Sequence, residues 1–318
     1  MRYEDFAATP SGVLVPTVFD EKAFVPHPLA PPLDHGRVAG PLSVASAALG
    51  ELRGACRRLS NPYMLIRPLQ RLEAQTSSAM EGTHTTRDEL VLAEAGLAKD
   101  GSDEAKEVAN YIRALAWAER ELARLPLSAR LIRGIHAILL EGIGPERGQD
   151  KRPGEFKRDQ NMIGANLAHG GKARLKSARF VPAPPGDTIA AISDLERYLH
   201  RPDKQPGMAL VDLALVHYQF ETIHPFDDGN GRVGRILISL MAMTEGLLDM
   251  PVLYLSPELE TRKDAYIDLM YAVSARGAWE DWIVFFFDAI ANSAIRTIRT
   301  VDAILALHQD YQARVRSI

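Results

Sequence analysis

Residues His224 to Arg235 form a short segment whose side chains and backbone are suited to holding and transferring phosphate. The segment reads HPFDDGNGRVGR, and its glycines are Gly229, Gly231 and Gly234. Glycines allow backbone N–H groups to turn toward one point, and a helix that starts there presents further unpaired N–H groups. Helix starts of this kind bind anions. The segment therefore predicts a cradle for a chain of phosphates.

Side chains with distinct chemistry surround this cradle. Arg232 and Arg235 lie three residues apart, so on a helix both would project over the same anion. Asp228 supplies the carboxylate that Mg²⁺ takes when substrate phosphates complete its ligands. His224 can accept a proton near neutral pH, and Asn230 can donate to an oxyanion. These groups together predict a phosphate-transfer site.

The elements that must position this segment are mostly helical. Apolar residues recur at spacings of three and four along most of the chain, including Leu210 to Phe220 directly before the segment. N-cap signals at Thr86, Ser128 and Asp187 precede other such runs. Residues 153–185 lack this period and are rich in Gly, Asn and Pro, which predicts a loop with a short hairpin. We expect an all-α bundle with a short β-hairpin flap near the active site.

Composition limits the class of protein. The 318 residues are 46% hydrophobic and 25% charged, as in globular proteins, and the net charge of −4 gives no basic excess for non-specific nucleic-acid binding. The single cysteine, Cys56, excludes an intrachain disulfide and a cysteine-based zinc site. We find no signal peptide and no apolar run long enough to span a bilayer. These features predict a cytoplasmic protein without a membrane partner.

The segment matches the signature loop of the Fic family, H-P-F-x-(D/E)-G-N-G-R-x-x-R, at every defined position. The resemblance extends to PGEFKRDQNMIG and ARFVPAPP, which look like the flap of that family, and it covers roughly residues 60–290. It implies transfer of AMP from ATP to a Tyr, Thr or Ser hydroxyl of a target protein, with release of pyrophosphate. The intact G-N-G-R and the second arginine favour nucleotidyl transfer over the kinase activity of the related Doc toxins.

The resemblance implies a role for each residue of the loop. His224 would deprotonate the target hydroxyl, and Asp228 would hold Mg²⁺, the expected cofactor, on the phosphates of ATP. Asn230 and the loop N–H groups would stabilise the α-phosphate, while Arg232 and Arg235 would hold the β- and γ-phosphates. The implied adenine-pocket residues are Tyr254, Arg262 and Tyr266, and the implied target-docking flap contains Ile163 and Gly164.

A second pattern of the family lies upstream. SSAMEG places Ser77, Glu81 and Gly82 at the defined positions of the inhibitory-helix pattern (S/T)-x-x-x-E-(G/N). Alone, a glutamate before a helix-ending glycine is common. Beside the signature loop, we expect Glu81 to pair with Arg235 and to disturb the γ-phosphate site. This predicts autoinhibition within one chain, and removal of AMP at the same site is left open.

The chain is expected to divide into three parts. Residues 1–100 comprise a proline-rich extended arm, with a flexible leader as the alternative, and the helices that carry the inhibitory motif. Residues 101–290 form the catalytic core, and 291–318 form a C-terminal helix. The chain stops before a DNA-binding domain could form, so none is expected.

The main alternative is a nucleotide-sensing or toxin-like binding module without transferase activity. A sensor needs the glycines and arginines of the loop but neither His224 nor Asp228. The presence of both favours an enzyme that uses ATP and a target protein. Self-modification and a homodimer are left open.

Overall fold

A computed structural model describes residues 1–18, 21–59, 61–95, 103–144, 148–164 and 177–316. Within these residues the protein is built from α-helices, with one two-stranded sheet. The helices are α1 (His35–Cys56), α2 (Tyr63–Met80), α3 (Arg87–Glu94), α4 (Asp103–Glu121), α5 (Ala129–Leu139), α6 (Pro185–Leu199), α7 (Ala209–Ile223), α8 (Asn230–Thr244), α9 (Ser256–Thr261), α10 (Lys263–Arg276) and α11 (Trp279–Arg316). The expected all-α class is confirmed.

The sheet lies in the proline-rich arm. Strands β1 (Gly12–Pro16) and β2 (Lys22–Pro26) pair antiparallel, and Phe24 of β2 is fully buried. The arm is therefore a hairpin packed on the body of the protein, and the alternative of a flexible leader is wrong for its described residues. In the expected flap, the described residues form one antiparallel bridge between Ile163 and Phe180. The remainder of the expected flap, 165–176, lies outside the described residues.

Helices α7 and α8 form the centre of the bundle. From Leu210 to Ile223 every residue of α7 is buried, and so is every residue of α8 from Asn230 to Ala242. A helix enclosed on all sides needs no polar face, which fits the apolar run of α7 from Leu213 to Val216. The loop that joins the two helices, 224–229, is consequently fixed at both ends by the core.

Local signals explain where several helices begin. Thr86 and Glu89 form a reciprocal capping box at the start of α3, and the Ser128 side chain accepts from the N–H of Leu131 at the start of α5. The prediction of Asp187 as an N-cap is wrong, because α6 begins at Pro185. Proline suits the first helical position since it lacks the N–H that would need a cap. Asp187 instead lies in the first turn, where its charge favours the helix dipole.

The expected boundary between 290 and 291 lies within a continuous helix. Helix α11 runs through 290 and 291 without interruption, and α1 packs along it. The boundary expected at 100 falls outside the described residues. Helices α2 and α4 both contact α8, so the inhibitory region and the catalytic core share one hydrophobic core. None of the described helices combines the length and the apolar composition that crossing a membrane requires.

Candidate active site

His224 follows the last residue of α7 and lines a cavity of about 170 Å³. Its backbone is left-handed (φ 51°, ψ 62°), a conformation that few residues other than glycine adopt. Its Nδ1 lies 3.2 Å from the carbonyl oxygen of Glu221, an acceptor, so Nδ1 carries the proton. Nε2 is then the nitrogen with a lone pair. This tautomer suits a general base that acts inside the cavity.

The surroundings of His224 keep the imidazole neutral. Desolvation, followed by the nearby Lys157 ammonium, lowers the pKa of His224 from 6.5 to about 4. An uncharged imidazole is the form that can accept a proton. His224 is therefore ready to act as a base at physiological pH.

Two residues at the base of the flap hold the backbone on either side of His224. The Asn161 side-chain amide donates to the carbonyl oxygens of His224 (3.0 Å) and Phe226 (2.9 Å). Lys157 donates through its backbone N–H to Pro225 O (2.8 Å) and through Nζ to the last carbonyl of α7. Such contacts maintain a strained backbone conformation. Neither residue was predicted from the sequence to be functional, although both lie in the PGEFKRDQNMIG segment.

The other side of the loop is held by Asn230 and by His136 of α5. Asn230 accepts from the N–H of Phe226 and donates to its carbonyl oxygen, both at 2.8 Å. His136 accepts from Gly154 N (2.9 Å), so its Nε2–H donates to Asp228 O (3.1 Å), and its ring stacks on Phe226 at 3.8 Å. Asn230 thus closes the loop, and its contact with an α-phosphate stays a prediction. His136 lies in a periodic apolar run that gave no functional signal.

Asp228 presents a partly exposed carboxylate beside the cradle. Its side chain is 40% exposed, and Oδ1 accepts from the N–H of Gly229 at 2.5 Å. Gly229 has a φ of 74°, where a side chain would be strained. In the described part of the chain, no group of three or more His, Cys, Asp or Glu residues is placed to hold a metal alone. One carboxylate with phosphate oxygens is nevertheless a donor set that Mg²⁺ accepts.

The two arginines of α8 point to different partners. Arg232 donates to Glu107 of α4 at 2.7 Å, and both side chains are only 2% exposed. Arg235 donates to the Ser77 hydroxyl (2.7 Å), to Ser77 O (2.8 Å) and to Glu81 (2.8 Å). Only Arg235 lines the cavity. The structure therefore does not bring the two guanidinium groups together over one anion.

The expected pair between Glu81 and Arg235 is present. Glu81 caps the end of α2, before Gly82 in its left-handed conformation (φ 84°), and its carboxylate lies against Gly231 at the start of α8. A Cβ at Gly231 would come within 2.1 Å of that carboxylate. Desolvation opposes ionisation of Glu81, but the charge and hydrogen bond of Arg235 outweigh it and hold its pKa below 4.5. The start of α8 thus already holds an anion supplied by the chain itself.

Comparison with known proteins identifies this arrangement. A family model described as the Fic/DOC family N-terminal region matches residues 40–120, and the Fic/DOC family model matches residues 126–242. The two matches together cover more than half of the chain, and the second contains the loop and both of its arginines. The chain belongs to the Fic/DOC family.

Named relatives in this family include the protein adenylyltransferase Fic of Drosophila yakuba and of Drosophila melanogaster. They are 28% and 27% identical over 206 residues, which cover 64% of this chain but 37% of each relative. The chain thus spans well under half the length of these curated relatives. A Fic family protein from Desulfovibrio desulfuricans G20 has the same fold (TM-score 0.67, 18% identity, 86% of this chain and 77% of that one). So does Fic-1 from C. elegans (TM-score 0.61, 19% identity, 84% and 74%).

Of the three residues expected in the adenine pocket, only Tyr266 lines the cavity beside the Fic loop. Tyr254 is buried elsewhere, and its carbonyl oxygen accepts from Ser293. Arg262 pairs with Asp288 on α11 and does not line this cavity. Tyr254 and Arg262 therefore do not line the cavity beside His224, and their role in binding adenine stays a prediction.

The two expected flap residues lie at the rim of the same site. Ile163 lines the cavity, while Gly164 packs against the side chain of Arg179, where a Cβ would come within 2.9 Å. The flap bridge from Ile163 to Phe180 consequently forms one wall of the Fic site. This position agrees with a docking role, which stays a prediction.

Glu221 is a cavity residue that the sequence analysis missed. It lies three residues before His224 on α7, is 9% exposed, and lines the cavity with Arg235. Desolvation raises the pKa of Glu221 to about 8, against the effect of Arg235. Its carboxyl is therefore mostly neutral at pH 7, which leaves Glu81 as the charged carboxylate bound to Arg235. The spacing from His224 was the signal available, since such residues share a helix face.

Proposed function

We propose that this protein transfers AMP from ATP to a Tyr, Thr or Ser hydroxyl of a target protein and releases pyrophosphate. The observation that carries the proposal is that His224, kept neutral and with Nδ1 bonded to Glu221 O, lines the same cavity as Gly231 and Arg235 of α8. The relatives named protein adenylyltransferase Fic support the same reaction. The cytoplasmic location and the homodimer stay predictions.

The reaction follows from the positions of these groups. The phosphates of ATP would lie at the N-terminus of α8, where backbone N–H groups and Arg235 offset their charge. His224 Nε2 takes the proton of the target hydroxyl as its oxygen attacks the α-phosphorus. The bond from this phosphorus to the bridging oxygen breaks, and pyrophosphate leaves with the bonding electrons. The products are the AMP ester of the target and a protonated His224, which returns its proton to solvent.

Asp228 would hold Mg²⁺ together with the phosphate oxygens of ATP. The partial exposure of its carboxylate and its place beside Gly229 fit this role. The ion would neutralise charge on the phosphates. Arg232 would act from behind the loop, because its guanidinium is enclosed with Glu107.

Glu81 would inhibit this reaction. Its carboxylate is paired with Arg235 and touches the start of α8, where the distal phosphates would bind. A like charge at that place repels phosphate and prevents an aligned attack, to which transfer is sensitive. The side chain is 37% exposed, so it can leave without opening the core. Activity would then require displacement of Glu81 from Arg235.

A second candidate activity is hydrolysis of the AMP ester at the same site. The observation that favours it is an ionised Glu81 on the wall of the cavity that also contains His224. A carboxylate in this position can orient a water and accept its proton. Loss of label from a purified, modified target would measure this activity, and Glu81→Gln should abolish it.

Labelled ATP distinguishes the reaction classes. The full chain, its Glu81→Gly variant and a Glu81→Gly/His224→Ala control are incubated with Mg²⁺, a cell lysate and ATP labelled at the α or γ position. We expect protein label from α-labelled ATP alone, and none in the control. Label only from the γ position would indicate a kinase. No label in Glu81→Gly, with ATP binding retained, would contradict the transferase and favour the nucleotide sensor.

A further inference from the structure

The N-terminal hairpin is joined to the flap by backbone hydrogen bonds. Phe24 of β2 donates through its N–H to Val181 O at 2.8 Å. Residue 180, next to Val181, is paired in turn with Ile163: Phe180 and Ile163 exchange two backbone hydrogen bonds of 3.1 and 2.9 Å. The row of paired backbone therefore runs from β1 through β2 and residues 180–181 to Ile163 at the cavity wall. Residues 1–39, which contain the hairpin, lie outside both family matches.

An aromatic cluster fastens the same elements together. The Phe24 ring lies 5.5 Å from that of Phe6 and 5.7 Å from that of Phe180, measured between ring centres. Phe6 also meets Tyr271 of α10 edge to face at 5.4 Å, and the Tyr271 hydroxyl donates to Asp5 at 2.7 Å. The three phenylalanines are at most 8% exposed. The flap residue Phe180 is thus held between the N-terminal region and a helix that lines the cavity.

The flap needs such support for a physical reason. In its described residues it consists of one antiparallel bridge, from Ile163 to Phe180. Two short strands alone are at best marginally stable in water, whereas further strands and a buried apolar face stabilise them. The hairpin supplies both the additional strands and, through Phe24, the buried face.

We propose that the hairpin of β1 and β2 is a positioning element for target docking: it fixes the Ile163–Phe180 pair so that an extended target segment can bind beside His224. Addition of a strand to such a pair depends on its backbone being held in register. The inference rests on the proposed AMP transfer. It gives the N-terminal region a role in binding the acceptor protein and none in binding the nucleotide.

The test compares Phe24→Ala with two controls, all in the full chain carrying Glu81→Gly. Val13→Ala changes the exposed face of the same hairpin, where Val13 is 47% exposed. Phe24→Leu restores apolar volume at the cluster. Three quantities are measured: hydrogen exchange at the amides of Ile163 and Phe180, ATP affinity by calorimetry, and label transferred to lysate protein from α-labelled ATP.

For Phe24→Ala we expect exchange at the two flap amides to rise about tenfold or more, with α8 amides unchanged. Label on acceptor protein should fall about fivefold or more, while ATP affinity stays within about twofold. Val13→Ala should match the parent, and Phe24→Leu should recover most of the label.

Unchanged flap exchange in Phe24→Ala would overturn the inference, and so would equal acceleration in α8 or an equal loss of ATP affinity, since either indicates a general structural role. Absence of label in the Glu81→Gly parent would instead contradict the proposed function. The exchange measurement would still decide whether the hairpin holds the flap.

Discussion

Two arginines in the first two turns of α8 bind glutamates at almost the same distance but in different surroundings. Arg232 meets Glu107 at 2.7 Å, and Arg235 meets Glu81 at 2.8 Å. Glu107 is 2% exposed within α4, whereas the Glu81 side chain is 37% exposed at the end of α2. A hydroxyl supports each pair: that of Thr83 donates to Glu107, and that of Ser77 accepts from Arg235.

Burial, rather than distance, separates the roles of the two pairs. Breaking a buried ion pair is costly because it leaves a desolvated charge without a partner. An exposed carboxylate that leaves its partner is hydrated again, so its own cost is small. Glu107 is fixed by its helix on both sides, while Glu81 lies where α2 ends and the chain turns at Gly82. We therefore expect the inner pair, Arg232–Glu107, to hold the loop in place, and the outer pair, Arg235–Glu81, to be the one that a phosphate of ATP can displace.

The largest expected effect is a loss of stability when the inner pair, Arg232–Glu107, is broken. Glu107→Ala should lower the free energy of unfolding by about 3–5 kcal/mol, because the buried Arg232 would keep only a longer contact of 3.4 Å to the partly exposed Asp228. Urea denaturation followed by circular dichroism measures the loss. Glu81→Ala is the comparison variant. Its expected loss is smaller because Arg235, although its side chain is also only 2% exposed, lines the cavity and keeps two hydrogen bonds to Ser77. Equal losses in the two variants would show that burial does not distinguish the pairs.

The outer pair should control activity instead of stability. Glu81→Gly should raise the rate of AMP transfer about 100-fold, since correct alignment of a reacting group is worth about that factor. Initial rates with α-labelled ATP measure the gain. Glu81→Gln, which keeps the shape but removes the charge, should give an intermediate rate. A rate for Glu81→Gly equal to that of the unmodified chain would refute inhibition by Glu81.

A smaller effect should follow from the hydroxyl that supports the inner pair. Thr83→Val keeps the volume of the side chain but removes a hydrogen bond of 2.8 Å to Glu107. The expected loss in free energy of unfolding is about 1.5 kcal/mol, at the lower end for a bond to a charged group. The matched control is Thr85→Val, which removes a hydrogen bond of 3.2 Å to Glu89 at an exposed position and should cost below about 0.5 kcal/mol. A gain in AMP transfer for Thr83→Val would place Thr83 on the inhibitory side.

The contrast between the pairs also shows what a sequence can reveal. His224, Asp228 and Glu81 could be identified from the sequence because each lies at a fixed position of a short motif. The partner of Arg232 could not, since Glu107 is 125 residues away and meets it only through the packing of α4 against α8. The fold class could be predicted as well, because helical periodicity also depends only on residues that are close together in the chain.

Long-range pairing also explains why the N-terminal hairpin was predicted only as an extended arm. The backbone bond from Phe24 to Val181 joins segments far apart in the chain, and no local pattern encodes it. His136 is a similar case, because its role arises from contacts with Gly154 and Asp228 on separate segments. Residues that perform the chemistry were therefore easier to find than residues that hold them.

The smallest expected effect is the change of the transfer rate with pH, which depends on His224. Because the pKa of His224 is lowered to about 4, its imidazole stays neutral above that pH. Between pH 7.5 and 5.5, transfer by Glu81→Gly at saturating ATP should change less than about twofold, whereas a base with an ordinary histidine pKa would lose about tenfold. Lys157→Met removes a cation that lowers this pKa, so its rate should decline more steeply toward pH 5.5. A tenfold decline in Glu81→Gly itself, with circular dichroism unchanged over this range, would show that His224 is not held neutral by its surroundings.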